Sequence, residues 1–422
     1  MFSSNPPLGL YIHLPWCEKK CPYCDFNSHE ISAIPEQEYV TALLNDLEQD
    51  LPLIWGRSID SIFIGGGTPS LFSGEAIERL FSGLRALLNF APAIEITMES
   101  NPGSAEAERY SAYFESGVNR LSIGVQSFDD QHLTLLGRVH DAKQAYQAVD
   151  KARQAGFDNI NIDLMYGLPR QSLAQARRDT TEAISLGPSH ISLYQLTIEA
   201  NTLFQHQPPQ GMPDDELAWQ QQLACQALLS DNGYQQYEIS AYCRDGLHSQ
   251  HNMNYWQFGD YIGIGAGAHG KITLGGENRV LRRIRQRQPR AYLEQAGRNS
   301  VIIESELGES DLLFEFMLNA LRLRQGFASS LFHDNTGLAL NLLLPGLELA
   351  KQKGLIEYND GRITPSERGF RFLNDLQSIF LQPIKAKNRP IIDSRGEIIH
   401  SYCQPVFGVF SKKLILIHNL LI

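Results

Sequence analysis

The sequence contains no run of 18 apolar residues, the least that would carry a helix across a bilayer. Its opening residues, Met1 to Leu8, lack the charged and then apolar order of a secretory signal. A cytoplasmic protein without a membrane span is expected. Cysteine is scarce: of six, three crowd together and Cys225, Cys243 and Cys403 stand alone. That distribution excludes an evenly paired disulfide framework and implies a reducing compartment. A basic surplus is missing too, since the formal net charge is -11. General nucleic-acid binding needs a positive surface for phosphate, so no nucleic-acid partner is expected. No low-complexity tract or internal repeat is visible beyond an alternation of short elements.

What is present is ordinary globular material, 43% hydrophobic and 20% charged over 422 residues, enough for two or three domains. Strand-like runs at Leu10–His13, Ser61–Ile64, Glu95–Met98, Leu121–Val125, Asn161–Met165 and Ile191–Leu196 alternate with amphipathic helical stretches. Gly117, Gly156 and Gly187 suit left-handed caps at helix ends, and Ser172 with Gln175 suits a capping box. Six βα units of roughly 30 residues imply parallel strands, in either an incomplete TIM-like barrel or an open doubly wound sheet. Periodicity leaves that choice open.

Three thiols lie within eight residues, Cys17, Cys21 and Cys24, spaced C-x3-C-x2-C. Thiols so close serve a cluster or a metal. A four-iron cluster held by three cysteines keeps one iron open to a small molecule. The alternative is structural zinc with His13 or His29 as fourth ligand, although zinc sites usually draw on two separated ligand pairs. Polar and glycine-rich residues gather at the carboxyl ends of the strands: Gly65-Gly66-Gly67-Thr68 after the second, Glu99 on the third, Gln126 after the fourth, Asp163 within the fifth. In a βα barrel the site lies at that end.

The spacing, with Tyr23 before the last cysteine, resembles the signature of the radical S-adenosylmethionine superfamily. The resemblance implies a partial (β/α)6 barrel of α/β class, a 4Fe-4S cluster on Cys17, Cys21 and Cys24, and S-adenosylmethionine at its open iron. It also implies cofactor contacts from Tyr11, Tyr23, Gly66, Gly67, Thr68, Glu99, Gln126, Arg138 and Asp163. For Glu99 and Arg138 taken alone, a satisfied strand-end acid and a solvated surface charge are equally good readings.

Farther on, Gln207-Pro-Pro-Gln-Gly-Met-Pro213 reads as a domain break. His251-Asn-Met-Asn-Tyr-Trp256 then leads into five glycines between positions 259 and 270, which exclude a stable helix and point to a close ligand or backbone. Six arginines between Arg279 and Arg290 read by default as exposed surface, with porphyrin carboxylates as the alternative. Helical stretches from Asp311, a hairpin turning at Asn359-Asp360-Gly361 and a last helix suggest a winged-helix-like α+β domain. The expected domains are a barrel at 1–207, a connecting region at 208–300, the winged-helix-like domain at 301–382 and a tail at 383–422 without a clear fold.

YIHLPWCEKKCPYCDFNSH, IFIGGGTPSL, RLSIGVQSF, NIDLMYGLP and HNMNYWQFGDYIGIGAGAHGK, in that order, resemble the HemW family of heme chaperones, relatives of the oxygen-independent coproporphyrinogen III dehydrogenase HemN. That resemblance covers about Leu8 to Leu381 and implies a HemN-type C-terminal domain. It also implies heme as ligand with His251 as its axial ligand, acceptor apo-hemoproteins, a homodimer, and peripheral membrane association through acceptors. From residue chemistry alone, a packing role for His251 is the better reading. Two activities compete: heme carriage, and oxidative decarboxylation of coproporphyrinogen propionates. The dehydrogenases carry a fourth cysteine where Phe26 stands and a longer segment before the position of Tyr11, so carriage is favoured.

Overall fold

The computed structural model describes residue 2 and residues 4–298 and 300–381 of the chain. Cys403 and the expected tail at 383–422 lie outside the described residues. Six strands, β1 (Leu8–Leu14), β2 (Ser58–Gly66), β3 (Asn89–Ser100), β4 (Arg120–Gln126), β5 (Asn159–Tyr166) and β6 (His190–Gln195), pair in parallel in sequential order. The crossovers carry α1 (Glu36–Glu48), α2 (Gly74–Leu87), α3 (Tyr110–Ser116), α4 (Ala142–Gln154) and α5 (Leu173–Ser185). Sequential order without reversal is that of a barrel, whereas a doubly wound sheet reverses at a switch point. The fold is thus α/β, a partial (β/α)6 TIM-like barrel.

Local chemistry sets the helix ends. Gly117, Gly156 and Gly187 have φ of 109°, 102° and 61°, left-handed values that cost glycine least. Ser172 and Gln175 form the expected capping box, and Asp141 with Gln144 forms another.

Past β6 the same sheet continues. Helix α6 (Asp215–Asp231) packs on α5, and β7 (Ala241–Cys243) pairs antiparallel with β6. After α7 (Gln250–Trp256), strand β8 (Asp260–Ile264) pairs in parallel with the free edge of β1. Strands β9 (His269–Leu274), β10 (Arg279–Arg285) and β11 (Val301–Glu306) extend that edge as an antiparallel meander. One apolar core runs from Leu8 to Tyr292, so residues 207–213 cross the surface of that core, where Arg170 N–H donates to Gly211 O at 2.6 Å. Glycines in and just after β8 serve backbone approach: a side chain on Gly263 would collide with His269 O, and one on Gly265, at φ 104°, with His13 O.

The default surface reading fails for half of the arginine run. Arg282, Arg283 and Arg285 are buried. Arg285 Nε donates to Asp46 at 2.9 Å and its Nη2 to Asp50 at 2.5 Å, while Arg283 also pairs with Asp50 and Arg282 with Glu315. Period two puts Arg283 and Arg285 on one face, turned inward to Asp46 of α1 and Asp50 just past it, more than 200 residues earlier, and Arg282 on the other, toward Glu315, which no local pattern shows. Arg279 and Arg290 do bond exposed acids.

A second core gathers Phe258 and Val280 with residues from α8 (Glu309–Ala320) through to Phe380. Its wing is the hairpin of β12 (Ile356–Asn359) and β13 (Arg362–Pro365), turning on Asp360 and Gly361 at φ 50° and 74°. Among the described residues, no helix is long and apolar enough to cross a membrane.

Candidate functional site

Two loops are zipped together at the carboxyl ends of β1 and β2. Gly67 N–H donates to Leu14 O and Thr68 N–H to Trp16 O, both at 2.8 Å. A Cβ on Gly67 would stand 2.5 Å from Trp16 O, so only glycine allows the approach. Trp16–Cys17 pairs with His29–Glu30 and closes the thiol loop on itself. Thr68 Oγ1 donates to Cys17 Sγ at 3.4 Å, Arg138 Nη1 lies 3.6 Å from Cys21 Sγ, and Ser28 Oγ lies 3.7 Å from Cys24 Sγ. Burial pushes the Cys17 thiol up and that of Cys24 up to about 11, against the hydrogen bonds that favour thiolate.

This donor set fits a cluster better than zinc. The histidines considered as fourth ligands are engaged elsewhere. His13 bonds Tyr11 OH and Asn27 O, both at 2.9 Å, and His29 bonds Asn27 Oδ1 at 3.3 Å. An iron-sulfur cube spreads its cysteines over several irons, and donors to sulfur from Thr68 and Arg138 suit thiolate ligands.

A cavity of about 930 Å³ opens beside the thiols, and every residue singled out from sequence for the cluster, the cofactor or heme lines it. Glu99 Oε2 accepts from Gly66 N–H at 3.1 Å. Burial first, and the Asp163 charge second, push the Glu99 carboxyl up to about 8. Burial also raises Asp163, opposed by hydrogen bonds from Asn161 at 2.7 Å and Ser122 at 3.1 Å. Gln126 sits at φ 67°, a left-handed value unusual for glutamine, where β4 bulges against β5. Arg138 is no surface charge: Nη2 donates to Asn101 Oδ1 at 2.5 Å and to Gly124 O at 2.9 Å.

His251 lines the same cavity from α7, and is 1% exposed. Its Nδ1 bonds Ser61 Oγ at 2.8 Å, its Nε2 bonds Tyr255 OH at 3.1 Å, and its ring stacks on Phe63. Burial, and then the Arg120 charge, lower it to about 3, so the imidazole is neutral at physiological pH. The packing reading describes this arrangement, and iron ligation would require one of the two bonds to open. His269, the next histidine of the motif, lies on β9 away from the cavity.

Several lining residues escaped the sequence reading: Arg120, Asn101, Tyr194, Arg322 and Phe372. Arg120 had a usable signal, because Arg120, Ser122, Gly124 and Gln126 alternate along β4 and all line the cavity. Phe372 had none, being brought there from the second core.

Comparison with known proteins agrees with this geometry. Residues 11–180 match the radical SAM superfamily and residues 307–372 the HemN C-terminal domain. The chain is 47% identical over 377 residues to the heme chaperone HemW of Escherichia coli K12, covering 89% of this chain and 98% of that one. It is 46% identical to HemW of Haemophilus influenzae, with the same coverage, and 33% identical to that of Bacillus subtilis over 88% and 99%. Among solved structures, coproporphyrinogen III oxidase HemN of E. coli aligns with a TM-score of 0.76 at 23% identity, over 89% of this chain and 90% of that one. That likeness is one of fold, and it extends through the C-terminal α+β domain. Three thiols on the first loop of a six-stranded barrel, a HemN-type second core and near full-length identity to curated relatives agree: this chain belongs to the HemW family of the radical SAM superfamily.

Proposed function

We propose that this protein is a heme chaperone, binding heme and passing it to apo-hemoproteins, with a 4Fe-4S cluster on Cys17, Cys21 and Cys24 and S-adenosylmethionine beside it. One observation carries the reading: the helix bearing HNMNYW and the three thiols line a single cavity. When bound, the cluster supplies an electron-transfer centre at the cofactor. The chain's own residues do the holding. Glu99, fixed by Gly66 N–H, presents a carboxyl to an amino group, Asp163 presents acceptors to hydroxyls, and Arg138 places a cation beside the sulfurs. Tyr11, Tyr23, Gly67, Thr68 and Gln126 complete this wall.

For heme, Tyr194 and Phe372 offer flat apolar surface in the same cavity. His251 would take the iron by releasing Tyr255 OH. Phe26, also on the cavity wall, stands where the dehydrogenases place a fourth cysteine and supports carriage over decarboxylation. The same reading includes a homodimer, and contact with membranes only through membrane-bound acceptors. The test is anaerobic reconstitution of the full chain, followed by hemin titration and a coproporphyrinogen conversion assay on one preparation. A Soret band with no conversion is the expected result. Conversion without heme binding overturns the reading.

A further inference from the structure

The cofactor residues cluster at the carboxyl ends of the strands, but the cavity runs deeper. Arg120 opens β4 and Gln126 closes it, and both line the cavity, a separation of about 20 Å at roughly 3.3 Å per residue. On β5, Asn161 and Asp163 line it in the same alternation. The inner end is closed by His251 and Asn252 of α7 and by the Glu238–Arg322 pair.

At that inner end Arg120 is 2% exposed and poorly partnered. Its Nη1 reaches Thr97 Oγ1 at 3.5 Å, while Nε stands 4.0 Å from Glu95 and makes no hydrogen bond. Glu95 Oε1 accepts from His251 N–H at 3.2 Å, and its Oε2 faces Arg120 beyond hydrogen-bond distance. The neighbouring polar layer satisfies itself: Asn161 donates to Ser122 at 2.7 Å and bonds His190 at 2.6 Å and Ser192 at 3.1 Å. Of the cavity's other arginines, Arg322 is committed to Glu238 and the face of Trp256 and Arg138 to Asn101 and Gly124 O, while Arg371 is exposed and lies over the Trp219 ring. A buried guanidinium with a single carboxylate at 4.0 Å and one hydrogen bond at the distance limit keeps donors for a second anion.

We propose that Arg120 is a ligand-binding residue that receives a carboxylate at the inner end of the cavity, and that the carboxylate is a propionate of the bound porphyrin. The planar fork of arginine matches a carboxylate in two parallel hydrogen bonds. Glu95 links Arg120 to α7, standing 4.0 Å from Arg120 Nε and accepting from His251 N–H at 3.2 Å, so a macrocycle lying against α7 would have its acidic edge toward Arg120. The proposal rests on the heme reading and adds to it a determinant of which porphyrins are accepted.

The test is titration of the anaerobically reconstituted full chain with hemin and with hemin dimethyl ester, whose propionates cannot ionise. Wild type is expected to bind the diacid about 10- to 100-fold more tightly, the size of one or two charge-assisted hydrogen bonds, and R120Q to lose that preference while keeping its cluster absorbance and its affinity for S-adenosylmethionine. An equal preference in R120Q, or none in wild type, overturns the assignment and leaves heme binding standing. Weakened cofactor affinity with the ester preference intact would assign the carboxylate to S-adenosylmethionine and likewise overturn it. Should R120Q lose its cluster, R120K carries the test: a preference smaller than that of wild type supports the proposal, and an unchanged one overturns it. Failure of wild type to bind either porphyrin removes the heme reading itself.

Discussion

Glu99 shows how one residue ties the pocket to pH. Its carboxyl is pushed up to about 8 in the folded protein by burial and by the Asp163 charge, against about 4.3 when unfolded. The native state holds that proton more tightly, so Glu99 weakens the fold as pH rises from about 4.3 through about 8. Glu99→Gln keeps an acceptor for Gly66 N–H and removes the ionisation. Thermal melts of the cofactor-free protein should show the variant more stable than wild type at pH 8, with the gap closing near pH 5; a gap independent of pH would count against this account. Asp163→Ala is expected to weaken S-adenosylmethionine binding by about 1 to 3 kcal/mol, measured by calorimetry on reconstituted protein. His251→Ala should shift the Soret band and weaken heme retention with cluster absorbance intact. An unchanged spectrum would leave the imidazole as the packed side chain that its two hydrogen bonds describe.

Among elements, the parallel strands and their helices were legible because each carries its own local signal. Short β-branched runs end in glycine or polar residues, and Ser172 and Gly187 bracket a helix in both sequence and structure. The thiol loop was legible for the same reason, since C-x3-C-x2-C is local. What stayed hidden depends on partners far along the chain. Arg285 finds Asp46 from 239 residues away, and Phe372 reaches the cavity from another core. Glycines mark where such partners meet without naming them. Gly67→Ala would drive a methyl to 2.5 Å from Trp16 O and should displace the thiol loop, at a strain of about 1 to 3 kcal/mol. Iron bound after reconstitution should fall well below that of wild type while far-UV circular dichroism is retained; full iron loading would show that the loops yield without disturbing the thiols.

At the scale of the whole molecule, the two cores reach Phe380 among the described residues. A chain ending at Gln382 is therefore expected to keep its melting temperature and its cluster absorbance, and loss of either on truncation would show that residues 383–422 contribute. The cavity joins the two cores, because its wall includes Cys17 at one end of the sequence and Phe372 and Gln377 at the other. Synthesis is directional, and this places a delay between them. Roughly 350 residues separate Cys24 from Gln377, which at about 5–20 residues per second takes on the order of 20 to 70 s to translate. Through that interval a nascent chain carries its thiols before the wall that will shelter them exists. Iron-sulfur loading and oxidative damage then compete on the ribosome, and the speed of translation becomes a variable in how much working protein a cell obtains.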